Sequence, residues 1–260
     1  MPEGQAVMGV SPWYSVKDGT NGGSLIWLHG WGMEHSSLSR LASLFKASHS
    51  NTLYDQPGFG KTPRLEDGAG TEQYADVLAA QLEAMPGSPH IIIGHSFGGR
   101  VAVQMAARHP GLVKAIVLIG GAGLRRRRSL AFKIKAFCLK LIGRAAQLLD
   151  KVLGTSFRAA YVERFGSADY KNAGALRPTF VRVVNEDLTL PAKASRCPAL
   201  LIYGSDDTEA PPEIGRRFEN LMPIARFVEV QGFDHWDILS RGAYQCEALI
   251  RTFFEDLKDE

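Results

Sequence analysis

One stretch constrains this chain more than any other: His90-Ile-Ile-Ile-Gly94-His95-Ser96-Phe97-Gly98-Gly99, an apolar run that breaks into Gly-x-Ser-x-Gly and then into helical periodicity. A β-branched run predicts a buried strand, and residues 100–108 predict the helix after it. Only a few positions remain between them for reversing the chain. A serine in so sharp a turn takes a sparsely populated backbone conformation, so its neighbours two positions away, Gly94 and Gly98, are expected to lack Cβ to avoid clashing with it. The turn lifts the Ser96 hydroxyl above the sheet, and the following helix aims its N-terminal N–H groups and positive dipole end at the same space. Ser96 is therefore the candidate nucleophile.

Other apolar runs repeat the strand signal at 24–28, 51–55, 113–119, 197–203 and 226–230. Helical spacing between or after them falls at 37–45, 71–85, 212–221 and in the last segment, where Cys246, Leu249, Ile250, Phe253 and Leu257 form one stripe. Continuous apolar strands separated by helices predict a mostly parallel sheet covered on both faces. From 124 to about 190 that rhythm stops, and long helical patterns follow without an obvious central strand. At 260 residues the chain suits one α/β domain with an insertion. The expected core is 1–123 with 191–260, and 124–190 is the insertion. Arg177 precedes Pro178, so a helix should break there and restart with proline in its first turn.

With these motifs in view, the chain resembles the α/β-hydrolase superfamily from about Leu25 to its C-terminus. The resemblance rests on the elbow GHSFGG, the loop His29-Gly30-Trp31-Gly32, the corner Asp55-Gln-Pro-Gly-Phe-Gly-Lys-Thr62 and the segment beginning Gly166-Ser-Ala-Asp-Tyr-Lys-Asn-Ala. It implies an α/β-hydrolase fold with a helical lid over the C-terminal ends of the strands. It also implies an oxyanion hole from the backbone N–H groups of Trp31 and Phe97, and a corner role for Asp55. The similarity of Gly58 to Thr62 to a phosphate loop fails, because the first glycine of that motif is missing and Pro63 stops a helix.

A serine hydroxyl needs an imidazole to take its proton and a carboxylate to orient that imidazole. The family's chain order is serine, acid, histidine; apart from His109, at the end of the nucleophile helix, only His235 lies beyond Ser96. The family pattern G-x-x-D-x-x-x-P selects Asp207, between Gly204 and Pro211, over Asp206. His95 should point away from the nucleophile, His29 should brace its own loop, and Asp234 and Asp237 lie too close to His235 to orient its ring. No acid occurs between Gly120 and Asp150, which closes the alternative position after the strand at 113–119.

A serine at the elbow argues against the haloalkane dehalogenases and most epoxide hydrolases of this fold. Ester, thioester, lactone and vinylogous C–C hydrolysis remain, with a carboxylic ester as the leading expectation. Trp236 beside His235 resembles the His-Trp pair of C–C hydrolases acting on ring-cleavage products, which makes it a candidate substrate-lining residue. The HGWG loop and a basic cap also resemble the biotin-pathway carboxylesterases that cleave an acyl-carrier-protein methyl ester. A non-catalytic binding protein on this fold is a third reading, disfavoured by the intact order of Ser96, Asp207 and His235.

Charge adds one local fact. Eight basic residues and no acid lie between Leu124 and Leu149; removing them turns the chain's net +3 into −5. Lys133, Lys140, Arg144 and Lys151 share one helical face, while Phe132, Leu139, Ile142 and Leu149 share another. Such a segment, opened by Arg125 to Arg128, suits solvation of an apolar helix, or docking to an acidic carrier protein or an anionic membrane surface. Nucleic acid is not the expected partner, since the rest of the chain is net negative. The three cysteines, Cys138, Cys197 and Cys246, form no C-x-x-C, and no metal or cofactor is implied. With no basic-then-apolar leader and no run of roughly 18 apolar residues, a cytoplasmic protein is expected.

Overall fold

A computed structural model describes residues 13–19, 22–125, 130–157, 160, 163–164 and 167–258. Arg126 to Arg128 lie outside the described residues, as do the side chains of Phe132, Lys133 and Lys140.

Seven strands form one sheet in the order β1-β3-β2-β4-β5-β6-β7. They are β1 (Ser15–Gly19), β2 (Gly23–Leu28), β3 (His49–Tyr54), β4 (His90–His95), β5 (Val113–Ile119), β6 (Ala199–Gly204) and β7 (Ala225–Val230). β1 runs antiparallel to β3 at the edge; every other pair is parallel. The sheet is thus mostly parallel, as the continuous apolar runs require. β1 has no counterpart in the sequence reading, because SVKDG is polar and largely exposed and so carries no apolar period.

Alternation along the strands divides the core into two layers. Ile26, Leu28, Ile92, Ile116, Leu118 and Leu201 face one side. There they meet α2 (Thr71–Glu83), α3 (Phe97–Arg108) and α8 (Pro212–Leu221) through Tyr74, Leu78, Val101, Met105 and Phe218. Leu25, Trp27, Ile93, Val117, Leu200 and Ile202 face the other side. Their partners are α1 (Ser39–Ser43), Phe45 and α9 (Ala243–Asp256), the last through Cys246, Ile250, Phe253 and Phe254.

Between β5 and β6 the described residues contain only helices: α4 (Leu130–Leu153), α5 (Ala168–Asn172), α6 (Arg177–Asn185) and α7 (Thr189–Ala194), with single helical turns between them. Pro178 sits in the first turn of α6, where its missing N–H costs nothing. The apolar stripe read on α4 divides: Leu139 is half-buried, whereas Ile142 and Leu149 face solvent. No helix among the described residues is long and apolar enough to cross a membrane.

The turn between β4 and α3 shows why its glycines are needed, and the reason differs from the one expected. A Cβ on Gly94 would lie 2.4 Å from the Gly98 carbonyl oxygen, and one on Gly98 would lie 2.1 Å from the Leu28 carbonyl oxygen. The constraint is the close approach of α3 to the ends of β4 and β2, not contact with the serine itself. Gly98→Ala must therefore push α3 away from β2. Overpacking of this kind costs on the order of 3 kcal/mol, so chemical denaturation should show a marked loss of stability; an unchanged midpoint would mean that the helix start is not packed this closely.

Candidate active site

Ser96 is the only non-glycine residue with positive φ among the described residues, at φ 49° and ψ −106°. Two hydrogen bonds hold the turn on either side of it. Ser96 N–H donates to the Ile119 carbonyl at 3.1 Å, and Gly98 N–H donates to the His29 carbonyl at 3.0 Å. The second bond ties the His29-Gly30-Trp31 loop directly to the elbow. Among the described residues, neither Trp31 N–H nor Phe97 N–H has a protein acceptor in the hydrogen-bond network.

His235 and Asp207 lie on the loops after β7 and β6, almost fully buried. His235 Nδ1 donates to Asp207 Oδ2 at 2.7 Å. The other carboxylate oxygen, Oδ1, accepts the N–H groups of Glu209 at 2.8 Å and Ala210 at 2.7 Å, so the side chain is fixed at both ends. Asp206 behaves differently: its carboxylate is exposed and takes Ser205 Oγ at 2.8 Å. Asp234 accepts the N–H groups of Trp236 and Asp237, and Asp237 accepts that of Asp234, which shapes the histidine loop without touching the ring. Gly120, with φ 54°, makes room for the pair, since a Cβ there would lie 3.1 Å from both Asp207 Oδ2 and His235 Nδ1. The position where the sequence ruled out an acid is the floor on which the acid and histidine meet.

Ser96 and His235 line one cavity of about 170 Å³. Among the described residues no hydrogen bond joins Ser96 Oγ to His235 Nε2, and such contacts commonly tighten only around substrate. Trp31 forms an aromatic wall with Phe59, Phe97 and Phe180, at centroid distances of 5.0, 5.4 and 5.1 Å. Trp236 lines the same cavity, is half exposed, and stands edge-on to the His235 ring at 5.3 Å.

Several lining residues escaped the sequence reading. Arg100, one turn beyond Ser96 on α3, borders this cavity and a second of about 360 Å³ beside it. Its Nη1 donates to the Val183 carbonyl at 2.9 Å, and burial lowers its pKa to about 10. An arginine in the otherwise apolar first half of α3, one turn beyond Ser96, was the available signal. Asp169, Phe180 and Glu209 carried none, because only the fold brings them to the cavity. Burial first, and then the nearby Glu209, raises the Asp169 carboxyl above its usual range.

His95 and His29 support the site from beneath. His95 Nε2 donates to the His235 carbonyl at 2.9 Å, so the residue beside Ser96 props the loop of His235. A Cβ on Gly30 would lie 2.9 Å from His95 Nδ1, which explains that glycine. His29 accepts Gln56 N–H on Nε2 at 3.0 Å and donates from Nδ1 to the Gly30 carbonyl at 2.8 Å. It thus braces both its own loop and the corner. Asp55 is the corner acceptor, taking His35 N–H, His35 Nδ1 and Lys61 N–H at 2.8, 2.7 and 2.9 Å. These bonds account for the one group of metal-ligating side chains found among the described residues, Glu34, His35 and Asp55.

A model of the alpha/beta hydrolase fold family matches residues 23–241. The chain belongs to the α/β-hydrolase family. A pimeloyl-[acyl-carrier protein] methyl ester esterase of Chromobacterium violaceum is 28% identical over 232 residues, covering 84% of this chain and 89% of that protein. Two solved structures share the fold at lower identity. A thermophilic esterase from Thermogutta terrifontis has a TM-score of 0.68 at 18% identity, covering 94% of this chain and 93% of its own. The enol-lactonase from Burkholderia xenovorans LB400 has a TM-score of 0.69 at 20% identity, covering 95% and 96%.

Burial keeps both supporting imidazoles neutral, lowering His29 to about 4 and His95 to about 3. In the unfolded chain each titrates near 6.5, so below that pH the unfolded state binds more protons and stability falls as pH falls. Unfolding free energy should drop by roughly 3–5 kcal/mol between pH 7 and pH 4.5, and by less in His95→Gln. Denaturant titrations at the two pH values test this; an equal drop in the variant would remove His95 from the account.

Proposed function

We propose that this ester hydrolase is a serine carboxylic ester hydrolase in which Ser96, His235 and Asp207 form the catalytic triad. The observation that carries the reading is the buried 2.7 Å hydrogen bond from His235 to Asp207, in the cavity that Ser96 also lines. Residues 124–190 act as the lid over a core of 1–123 and 191–260.

In this mechanism Ser96 Oγ attacks the ester carbonyl carbon while its proton passes to His235 Nε2. Asp207 holds the Nδ1–H tautomer and stabilises the imidazolium. The oxyanion receives the backbone N–H groups of Trp31 and Phe97, donors that need no reorganisation because the Gly98–His29 bond holds their two segments together. His235 then returns the proton to the departing alcohol oxygen, leaving an acyl-enzyme. Water attacks the acyl carbon, gives its proton to His235, and releases the acid as Ser96 regains its own.

Trp31, Phe97 and Phe180 support an acyl group that is neutral and apolar next to the carbonyl. The carboxylates of Asp169 and Glu209 outnumber the one cation at the same cavity, Arg100, whose Nη1 is taken by the Val183 carbonyl, and so disfavour an anion beside them. The relative from Chromobacterium acts on an ester carried by a carrier protein, so a carrier-borne methyl ester belongs in the substrate panel with p-nitrophenyl esters of graded length and a vinylogous 1,5-diketone. Ester turnover exceeding diketone turnover is the expected result; cleavage of the diketone alone would overturn the ester reading.

Ser96→Ala should abolish labelling by a fluorophosphonate while leaving the fold intact, and His235→Ala should lower kcat by several orders of magnitude. Asp207→Asn should cost on the order of 10⁴-fold in kcat by loss of the correct tautomer. Asp206→Asn, altering an exposed carboxylate, should cost little. The opposite ranking of the two aspartates, read from steady-state kinetics on a p-nitrophenyl ester, would remove Asp207 from the triad.

A further inference from the structure

The helix α4 has a solvent face that the fold does not explain. Among its described side chains the core-facing side is narrow: Gly143 and Ala146 are buried and Leu139 and Asp150 half-buried, all within about 60° of arc at 100° per residue. The opposite side carries Phe137, Leu141, Leu148 and Val152, with Ile142 and Leu149 on the flank next to it; Phe137, Leu148 and Val152 are 62%, 65% and 74% exposed. With Leu153 these positions cover about 160° of the helix. Exposed Arg144 and Lys151 lie along one border of that arc, and the sequence spacing puts positions 133 and 140 in the same register. Twenty-four residues give a ribbon about 36 Å long.

We propose that α4 is an interfacial helix that lies in the surface of an anionic lipid bilayer, its apolar face among the acyl chains and its basic border against the headgroups. Five basic residues and one acid in α4 complement such a surface and are too many for a membrane span. A second copy of the chain fits less well. Pairing two α4 faces would set basic borders together, and the single acid, Asp150, lies on the core side where it takes Thr155 Oγ1 and Phe157 N–H. An acidic carrier protein would answer the basic border and leave the wider apolar arc in water, an exposure that soluble surfaces avoid. The inference stands on α4 alone and is independent of the ester chemistry.

The test is flotation of the full chain with vesicles of phosphatidylglycerol and phosphatidylcholine, against vesicles of phosphatidylcholine alone. Binding to the mixed vesicles, weakened by salt, is expected. Phe137→Ser with Leu141→Ser, and separately Leu148→Ser with Val152→Ser, should each lower the partition coefficient at least tenfold. Arg144→Ser with Lys151→Ser should lower it on the order of tenfold on the mixed vesicles. All three variants alter exposed residues and should keep wild-type circular dichroism and p-nitrophenyl ester turnover.

Exposed Cys138 provides a second measurement. It lies within the apolar arc, so an environment-sensitive fluorophore on it should shift to the blue when mixed vesicles are added. The same fluorophore in a Cys138→Ser, Gln147→Cys chain, on the polar side, should not shift. Wild-type protein that ignores mixed vesicles, or apolar variants that bind them unchanged, would overturn the proposal. So would self-association lost in those variants without vesicle binding, or retention by an acidic carrier protein with none by lipid.

Discussion

The site depends on one strained residue and the backbone bonds that keep it strained. Ser96 at positive φ costs on the order of 1–3 kcal/mol, a cost that persists only where surrounding structure over-determines it. Here the over-determination is explicit. Ile119 at the end of β5 takes the Ser96 N–H, His29 beyond β2 takes the Gly98 N–H, and α3 is packed so closely on Leu28 that position 98 admits no side chain. The three strands at the centre of the sheet therefore hold the Ser96 turn between them. The loop bearing Trp31 is fixed by the same bond, so the Trp31 and Phe97 backbones and the serine cannot move independently.

A second set of contacts brings in His235. Gly30 touches His95, His95 supports the His235 carbonyl, and His235 meets Asp207 over Gly120. The histidine, which arrives from the far end of the chain, is placed against the elbow through a residue of the elbow itself. Both buried supporting histidines are neutral, and each has a ring nitrogen used as donor to a carbonyl, which settles their tautomers without any charge in the core.

What could be read from the sequence follows from where information is local. The runs 25–28 in β2, 91–93 in β4, 115–119 in β5 and 199–203 in β6 are unbroken in apolar residues because the sheet is covered on both faces, and the elbow glycines stand where backbones nearly touch. Asp207 was separable from Asp206 only through family spacing, since both are aspartates in one turn; burial and bonding distinguish them in three dimensions. β1 was illegible because a polar edge strand has no apolar period. The cavity wall was illegible for another reason: Asp169, Phe180 and Glu209 reach it from separate segments, and nothing local marks a residue as facing a site. The glycines' reason was misread for a similar cause, as Gly98 answers to Leu28, seventy positions earlier.

The helices between β5 and β6 divide into a part that the core holds and a part that it barely touches. Where α6 ends, Arg100 from α3 meets the Val183 carbonyl, a cation at a helix C-terminus. Just beyond, the Glu186 carboxylate accepts Thr71 N–H at 2.8 Å and Thr71 Oγ1 at 2.6 Å, an anion at the N-terminus of α2. Each helix end receives the charge that its dipole favours, and Arg100 and Glu186 attract one another across the junction. That clamp fixes α6, and with it Phe180, against Trp31. Among its described side chains, α4 buries Gly143 and Ala146, half-buries Leu139 and leaves Phe137, Leu148 and Val152 in solvent. A core that used α4 for stability would bury those side chains. Their placement outward, beside a cationic border, implies that the constraint on this helix comes from something outside the chain, while the constraint on α6 comes from the site.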